Sequence, residues 1–159
     1  MSLNNPYLYP TSPIAFDQLS LDLIEPAILS LIAEAEAALR AIEELQAART
    51  FDNTVGAIEV ATEKLGRASG PLGLQNSVMT NDDFREVYNK VMPGIKRFFS
   101  GIALRDKLWV AVQSFSESDA GKQLKGTQAR RTKMTCEEFV RAGANLEAEH
   151  KQRLAEIDR

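Results

Sequence analysis

The stretch Ser20-Leu-Asp-Leu-Ile24-Glu-Pro26-Ala-Ile28-Leu-Ser-Leu31-Ile32-Ala-Glu34-Ala35-Glu36-Ala-Ala-Leu39-Arg40-Ala-Ile42-Glu43-Glu44-Leu45-Gln-Ala-Ala48 decides the fold class. Ile24, Ile28, Leu31, Ile32, Ala35, Leu39, Ile42 and Leu45 recur at steps of three and four, the period of one helical face. Glu34, Glu36, Arg40, Glu43 and Glu44 fall mostly off that face. Ser20 is a candidate N-cap, and Pro26 requires the helix to start near it or to bend there. Burying the larger residues of the stripe contributes about 1.5–3 kcal/mol each before chain entropy is subtracted. The role of this helix is therefore to pack, with its charges in water.

The same period continues outward. Asp52, Asn53 or Thr54 can cap a second helix through Val55, Ile58, Ala61, Thr62, Leu65 and Ala68, which Gly70-Pro71 is expected to end. Leu72 to Val78 then reads as a short apolar linker or one further turn. Thr80-Asn81-Asp82-Asp83 opens a third helix with acids in its first turn, where the dipole favours them. Phe84, Val87, Tyr88 and Val91 follow, Pro93-Gly94 is expected to kink or restart the helix, and Ile95, Phe98, Phe99, Ile102, Leu108, Val112 and Phe115 extend the pattern. Ser116–Gly121 is a polar break. A basic helix is expected over Lys122–Arg141, weakened at Gly126 and punctuated by Gly143. An amphipathic helix from Leu146 to Arg159 places Leu146, His150, Leu154 and Ile157 on one side. No segment alternates with period two. The expected fold is all-α, an antiparallel bundle or array of about five to seven helices.

Before residue 20 the chain differs. Pro6, Pro10 and Pro13, interleaved with Tyr7, Tyr9 and Phe16, read as an extended arm over residues 1–19 that lies on the body of the protein. Pro10-Thr-Ser-Pro13 supplies a single Pro-x-x-Pro spacing, which an SH3-type ligand would need as a regular face. Met1-Ser2-Leu3 is read as a vector-derived remnant. Residues 20–159 are expected to form one helical domain.

Composition bounds the function. With 159 residues, 44% hydrophobic and 26% charged, the chain has the make-up of an ordinary globular domain. Its formal net charge of -3 argues against a general nucleic-acid binder, which needs surplus Lys and Arg. The single cysteine, Cys136, permits no internal disulfide and fits a reducing, cytoplasmic compartment. No apolar run is long enough to span a membrane.

Groups that carry chemistry are sparse. His150 is the one histidine. It sits at Glu147-Ala-Glu149-His150, which invites a metal reading, but a partly exposed helical histidine among solvated acids is the plainer one. Cys136, at Met134-Thr-Cys136-Glu137-Glu138, lacks a nearby base and has acids that disfavour its thiolate, so it reads as a packing residue. Gly121-Lys-Gln-Leu-Lys-Gly126-Thr127 has the glycine spacing of a phosphate loop without its following lysine or a preceding strand. Lys122, Lys125, Arg130, Arg131 and Lys133 could meet nucleic acid or an acidic peptide. Few aromatics interleave with them, so a solvated helix face is favoured. The carboxylates of the first helix and of Glu137-Glu138 are read as exposed helix charges. No catalytic, cofactor-binding or metal-ligating residue is assigned.

One pattern goes further than composition. In order along the chain stand Asn5-Pro6, Ile24-Glu-Pro-Ala-Ile28, Thr50-Phe-Asp-Asn-Thr-Val55, Gly70-Pro-Leu-Gly-Leu-Gln-Asn-Ser-Val78, Phe84-Arg-Glu-Val-Tyr-Asn89 and Met92-Pro93. Phe139, Gly143, Leu146 and Glu149-His-Lys-Gln-Arg-Leu-Ala-Glu-Ile157 continue it, with Glu137-Glu138 in place of an Arg-Asp pair, while residues 100–135 match loosely. Order and spacing together resemble the N-terminal region of the thimet oligopeptidase and oligopeptidase A family of zinc metallopeptidases.

The resemblance implies a helical wall beside a channel that admits short peptides, with zinc held by a His-Glu-x-x-His motif elsewhere in a longer parent. One histidine cannot build that motif, and no family catalytic residue falls on this chain. The chain is therefore expected to be a non-catalytic domain without a cofactor of its own. Its expected partners are the parent's catalytic region and, through the channel, short peptides. The end at Arg159, partway through a helix, suggests an excised domain or a truncated relative. An isolated domain of this kind is expected to self-associate through apolar surface. The alternative is a stand-alone helical module that binds a protein or peptide.

Overall fold

The computed structural model describes residues 5–9 and 13–157, except for the side chains of residues 148, 152 and 155–157. Among these residues a 3-10 turn, Phe16–Gln18, precedes seven α-helices and no strand. The helices are α1 (Leu21–Glu44), α2 (Val55–Val78), α3 (Asp82–Ile102), α4 (Asp106–Glu117), α5 (Asp119–Lys122), α6 (Gly126–Arg141) and α7 (Ala148–Ile157). The all-α expectation holds. Met1, Ser2, Leu3, Pro10 and Arg159 lie outside the described residues, and with them the Pro-x-x-Pro pair.

The stripe of the first helix is buried as its period requires: Ile24, Ile28, Leu31, Ala35, Leu39 and Ile42 are all core residues. α1 starts at Leu21, with the Leu23 amide donating to the Ser20 carbonyl, and carries Pro26 in its second turn. Beyond its end, the Arg49 guanidinium donates to the carbonyls of Ile42 (2.7 Å) and Leu45 (3.3 Å), satisfying acceptors that a helix terminus leaves open.

The Thr50–Thr54 segment is a loop that holds itself and leads into α2 at Val55. The Thr50 amide donates to Asn53 Oδ1 (2.8 Å) and the Asn53 amide returns to Thr50 Oγ1 (3.2 Å), a reciprocal arrangement of capping-box type. Asn53 Nδ2 also donates to the Ala48 carbonyl. Gly56 lies under the Phe51 ring, where a Cβ would stand 3.3 Å from it.

Three boundaries correct the expectations from sequence. α2 does not end at Gly70-Pro71 but continues to Val78 with Pro71 inside it. Leu72 and Gln75 carry on the buried face of Leu65 and Ala68, so burial outweighs the lost hydrogen bond of the proline. Gly70 also lacks the Cβ that would clash with the proline ring in a helical backbone. Of the two expectations at Pro93-Gly94, a kink or a restart, the restart does not occur: α3 is one helix with Pro93 inside it, in which a Cβ on Gly94 would rest 3.6 Å from Ile32. The basic helix begins at Gly126, not Lys122. Gly126 has φ +60, a left-handed conformation that divides it from the short α5.

The helices sort into two compact units, one of the residues up to Glu36 with Ala61–Lys96, the other of Ala37–Val60 with Arg97–Arg159. In the first, Ile24, Ile28, Leu31, Leu65, Leu72, Phe84, Val91 and Ile95 form the core around Tyr7. Lys64 pairs with Glu34, and Lys90 with Glu25 at 2.7 Å, tying α2 and α3 to α1. In the second, Leu108, Val112, Phe115 and Phe139 are buried, and Trp109 stacks on Phe139 with centroids 5.7 Å apart, joining α4 to α6.

Candidate functional site

The residues singled out from sequence do not converge on a reactive centre. His150 and Glu149 are exposed on α7, and Glu147 is exposed just before it. Among the described residues no group of three or more His, Cys, Asp or Glu side chains could hold a metal ion. A zinc centre takes about three such ligands, and the described residues do not bring them together. The two glycines of the phosphate-loop-like segment have structural explanations. A Cβ on Gly121 would fall 2.1 Å from the Phe115 carbonyl oxygen, and Gly126 takes its positive φ. Among the described residues no helix is long and apolar enough to cross a membrane.

In the first unit the arm supplies a network that sequence reasoning missed. Asn5 Nδ2 donates to the Leu23 carbonyl (2.9 Å), the Tyr7 amide donates to Asn5 Oδ1 (3.0 Å), and the Tyr7 hydroxyl donates to Gln75 Oε1 (3.0 Å). Tyr7 is 1% exposed. Burial pushes its hydroxyl pKa up to about 12. Asn5 and Gln75 stand in the motifs quoted above, but no periodicity links them. Tyr9, two residues on, faces solvent.

The same unit presents one unusual face. Opposite the buried side of α2, Gly66, Gly70, Gly73 and Ser77 form a row of small residues beside exposed Leu74 (50%) and Val78 (67%), with Met79 (65%) just beyond. A Cβ on Gly66, Gly70 or Gly73 would meet nothing within 4 Å. Each glycine costs a helix roughly 1 kcal/mol relative to alanine. Nothing described in this chain requires Gly66 or Gly73 there for space, whereas Gly70 makes room for the ring of Pro71.

In the second unit α6 carries Arg130, Arg131 and Lys133 of the basic run, with Lys122 at the end of α5 and Lys125 just before α6. Arg131 is half-buried and ion-paired with Glu59 and with Glu138 (3.6 Å). Lys122, Lys125, Arg130 and Lys133 are exposed. Cys136, Glu137, Val140 and Arg141 line a shallow groove of about 440 Å³. The thiol of Cys136 is half-buried in its wall.

Comparison with known proteins places this helical fold in a family. The family model "Neurolysin/Thimet oligopeptidase, N-terminal domain" matches residues 28–151. The chain belongs to this family. Oligopeptidase A of Salmonella typhimurium is 24% identical over 155 residues, covering 98% of this chain and 23% of the relative. Oligopeptidase A of Escherichia coli is 22% identical over 155 residues, with the same coverages. That of Haemophilus influenzae is 24% identical over 157 residues, 99% of this chain and 23% of the relative. The chain thus spans about a quarter of the length of the curated relatives it matches.

Proposed function

We propose that this chain is the non-catalytic N-terminal helical domain of a cytoplasmic zinc oligopeptidase whose full-length parent hydrolyses short peptides. The observation that carries the reading is the match of residues 28–151 to the N-terminal domain family, in a chain equal to 23% of its oligopeptidase A relatives. On this reading the chain is wall and access surface, and zinc belongs to the catalytic region of the parent. The α2 face supports it. A row of small residues in which Gly66 and Gly73 have no steric need in this chain, beside exposed Leu74, Val78 and Met79, suits close approach of a further packed element. That element would be the parent's catalytic region, and the bare face is where the isolated domain would self-associate.

Two measurements test the reading. Purified chain supplied with zinc and a short fluorogenic peptide should release no product above the background of zinc alone. Zinc-dependent turnover would overturn the proposal. The coding frame should run on beyond Arg159 to a His-Glu-x-x-His motif. A stop codon at that point would favour the stand-alone interaction module instead.

A further inference from the structure

We infer that the outer face of α6 is a docking surface for an acidic, amphipathic peptide segment. The inference does not rest on the peptidase reading. Charge comes first. The chain as a whole carries a formal net charge of -3, yet this face gathers Arg130, Lys133 and Arg141 against Glu137 alone. The other two charges of α6 are turned to internal use, since Arg131 and Glu138 pair with each other and Arg131 also with Glu59. Lys133 approaches Glu137 at 3.8 Å, a long contact between exposed groups. Arg130 and Arg141 have no ion-pair partner among the described residues. Eleven residues apart, they lie on one side of the helix and about 16 Å apart along it.

Shape comes second. Between these two guanidinium groups the surface is not simply solvated. Val140 and Met134 are 44% and 38% exposed, and Cys136, Glu137, Val140 and Arg141 wall the groove. Cationic ends flanking an apolar middle complement a segment that carries carboxylates about three helical turns apart and aliphatic side chains between them. The same features disfavour other occupants. A second copy of the face would bring like charges together. Nucleic acid would find no exposed aromatic ring on α6 to stack on, since Phe139 is buried against Trp109.

The test uses the full chain labelled at Cys136, its single cysteine, with an environment-sensitive dye. The probes are an amphipathic peptide with leucines at helical spacing and glutamates beside them, the same peptide with lysines for glutamates, and a single-stranded oligonucleotide. The acidic peptide should shift the dye signal saturably and lose affinity as salt rises, and the lysine peptide should not bind. Arg141→Glu and Val140→Asp should each weaken binding roughly tenfold, with unchanged helical circular dichroism because both positions are exposed. Arg131 is left intact, since it holds the fold. Equal binding of both peptides, indifference to Arg141→Glu, or tighter binding of the oligonucleotide would overturn the inference. So would a dimer that hides Cys136 from the dye reagent.

Discussion

The hydroxyl of Tyr7 donates to Oε1 of Gln75 at 3.0 Å, joining the N-terminal arm to a helix 68 residues later, with both side chains buried. Burial lifts the tyrosine pKa from 10.0 to about 12. The folded protein therefore holds this proton through a range where the unfolded chain has lost it. A raised pKa contributes stability that is fully present below the unfolded value and lost as pH rises through the folded one. Between pH 10 and 12 this one group should lower the unfolding free energy by up to about 1.4 kcal/mol per pH unit. Urea titrations across that range should show the steepening in the wild type and not in Tyr7→Phe. At neutral pH, Tyr7→Phe should cost about 1–2 kcal/mol because Gln75 is left buried without its donor. Parallel alkaline slopes for the two proteins would refute the assignment.

Arg105 precedes the first residue of α4 and grips Glu43 near the end of α1, with Nε–Oε1 at 2.5 Å and Nη2–Oε2 at 3.0 Å. The side chains are only 21% and 10% exposed, so the pair is screened far less than a surface ion pair. Arg105→Ala should destabilise the chain by roughly 3 kcal/mol, much of it the cost of an orphaned Glu43 carboxylate. Glu43→Gln with Arg105 intact should cost less, since the amide oxygen can still accept. A thermal melt that places both variants within error of the wild type would remove this contact from the list of fold determinants.

The helices were readable from the chain because a stripe such as Ile24–Ile28–Leu31–Ala35–Leu39 has no other way to be buried. What failed was local punctuation. Gly70-Pro71 reads as a stop, yet α2 passes through it, because the worth of burying Leu72 and Gln75 lies in tertiary packing that a local signal does not contain. Gly126 was legible as a weakness but not as the start of α6, since its left-handed φ is set by where the next helix must lie. The Asn5–Tyr7–Gln75 network and the Arg105–Glu43 clamp were invisible for the same reason: both join residues far apart in sequence. The candidate surfaces divide likewise. The basic run was plain in the sequence, whereas the groove beside Val140 and the half-burial of Arg131 needed the fold.

Two threonines of α6 make opposite predictions. Thr132 is buried with its hydroxyl donating to the Gln128 carbonyl at 2.9 Å. Thr135, also buried, has an Oγ1 with no hydrogen-bond partner among the described residues. Valine matches threonine in shape and removes the hydroxyl. Thr135→Val should therefore stabilise the protein by about 1 kcal/mol, by relieving the desolvated oxygen. Thr132→Val should lose about 0.5–1 kcal/mol with its hydrogen bond. Denaturation followed by Trp109 fluorescence is a suitable readout, because that ring stacks on Phe139 of the same helix. Destabilisation by both substitutions would mean that Thr135 has a partner after all.

The glycines of α2 separate what this chain needs from what a larger assembly would need. An added Cβ at Gly66 or Gly73 meets nothing within 4 Å, and both positions are helical. Gly66→Ala and Gly73→Ala should each stabilise the isolated chain by about 0.5–1 kcal/mol through reduced unfolded-state entropy. Gly70 is a poorer test, because an alanine before Pro71 would bring its Cβ against the proline ring. Gly143→Ala is the contrasting control. Its φ of +97 and an added Cβ at 2.9 Å from Leu146 predict a loss of more than about 1 kcal/mol. If α2 presents this face to the catalytic region of a parent enzyme, the Gly66 and Gly73 substitutions that stabilise the isolated chain should impair its docking there. Pull-down of that region by wild type and by the double alanine variant reads this out. Equal capture by the two would leave the small-residue row without a role in assembly and would remove the α2 face from the support for the proposed function.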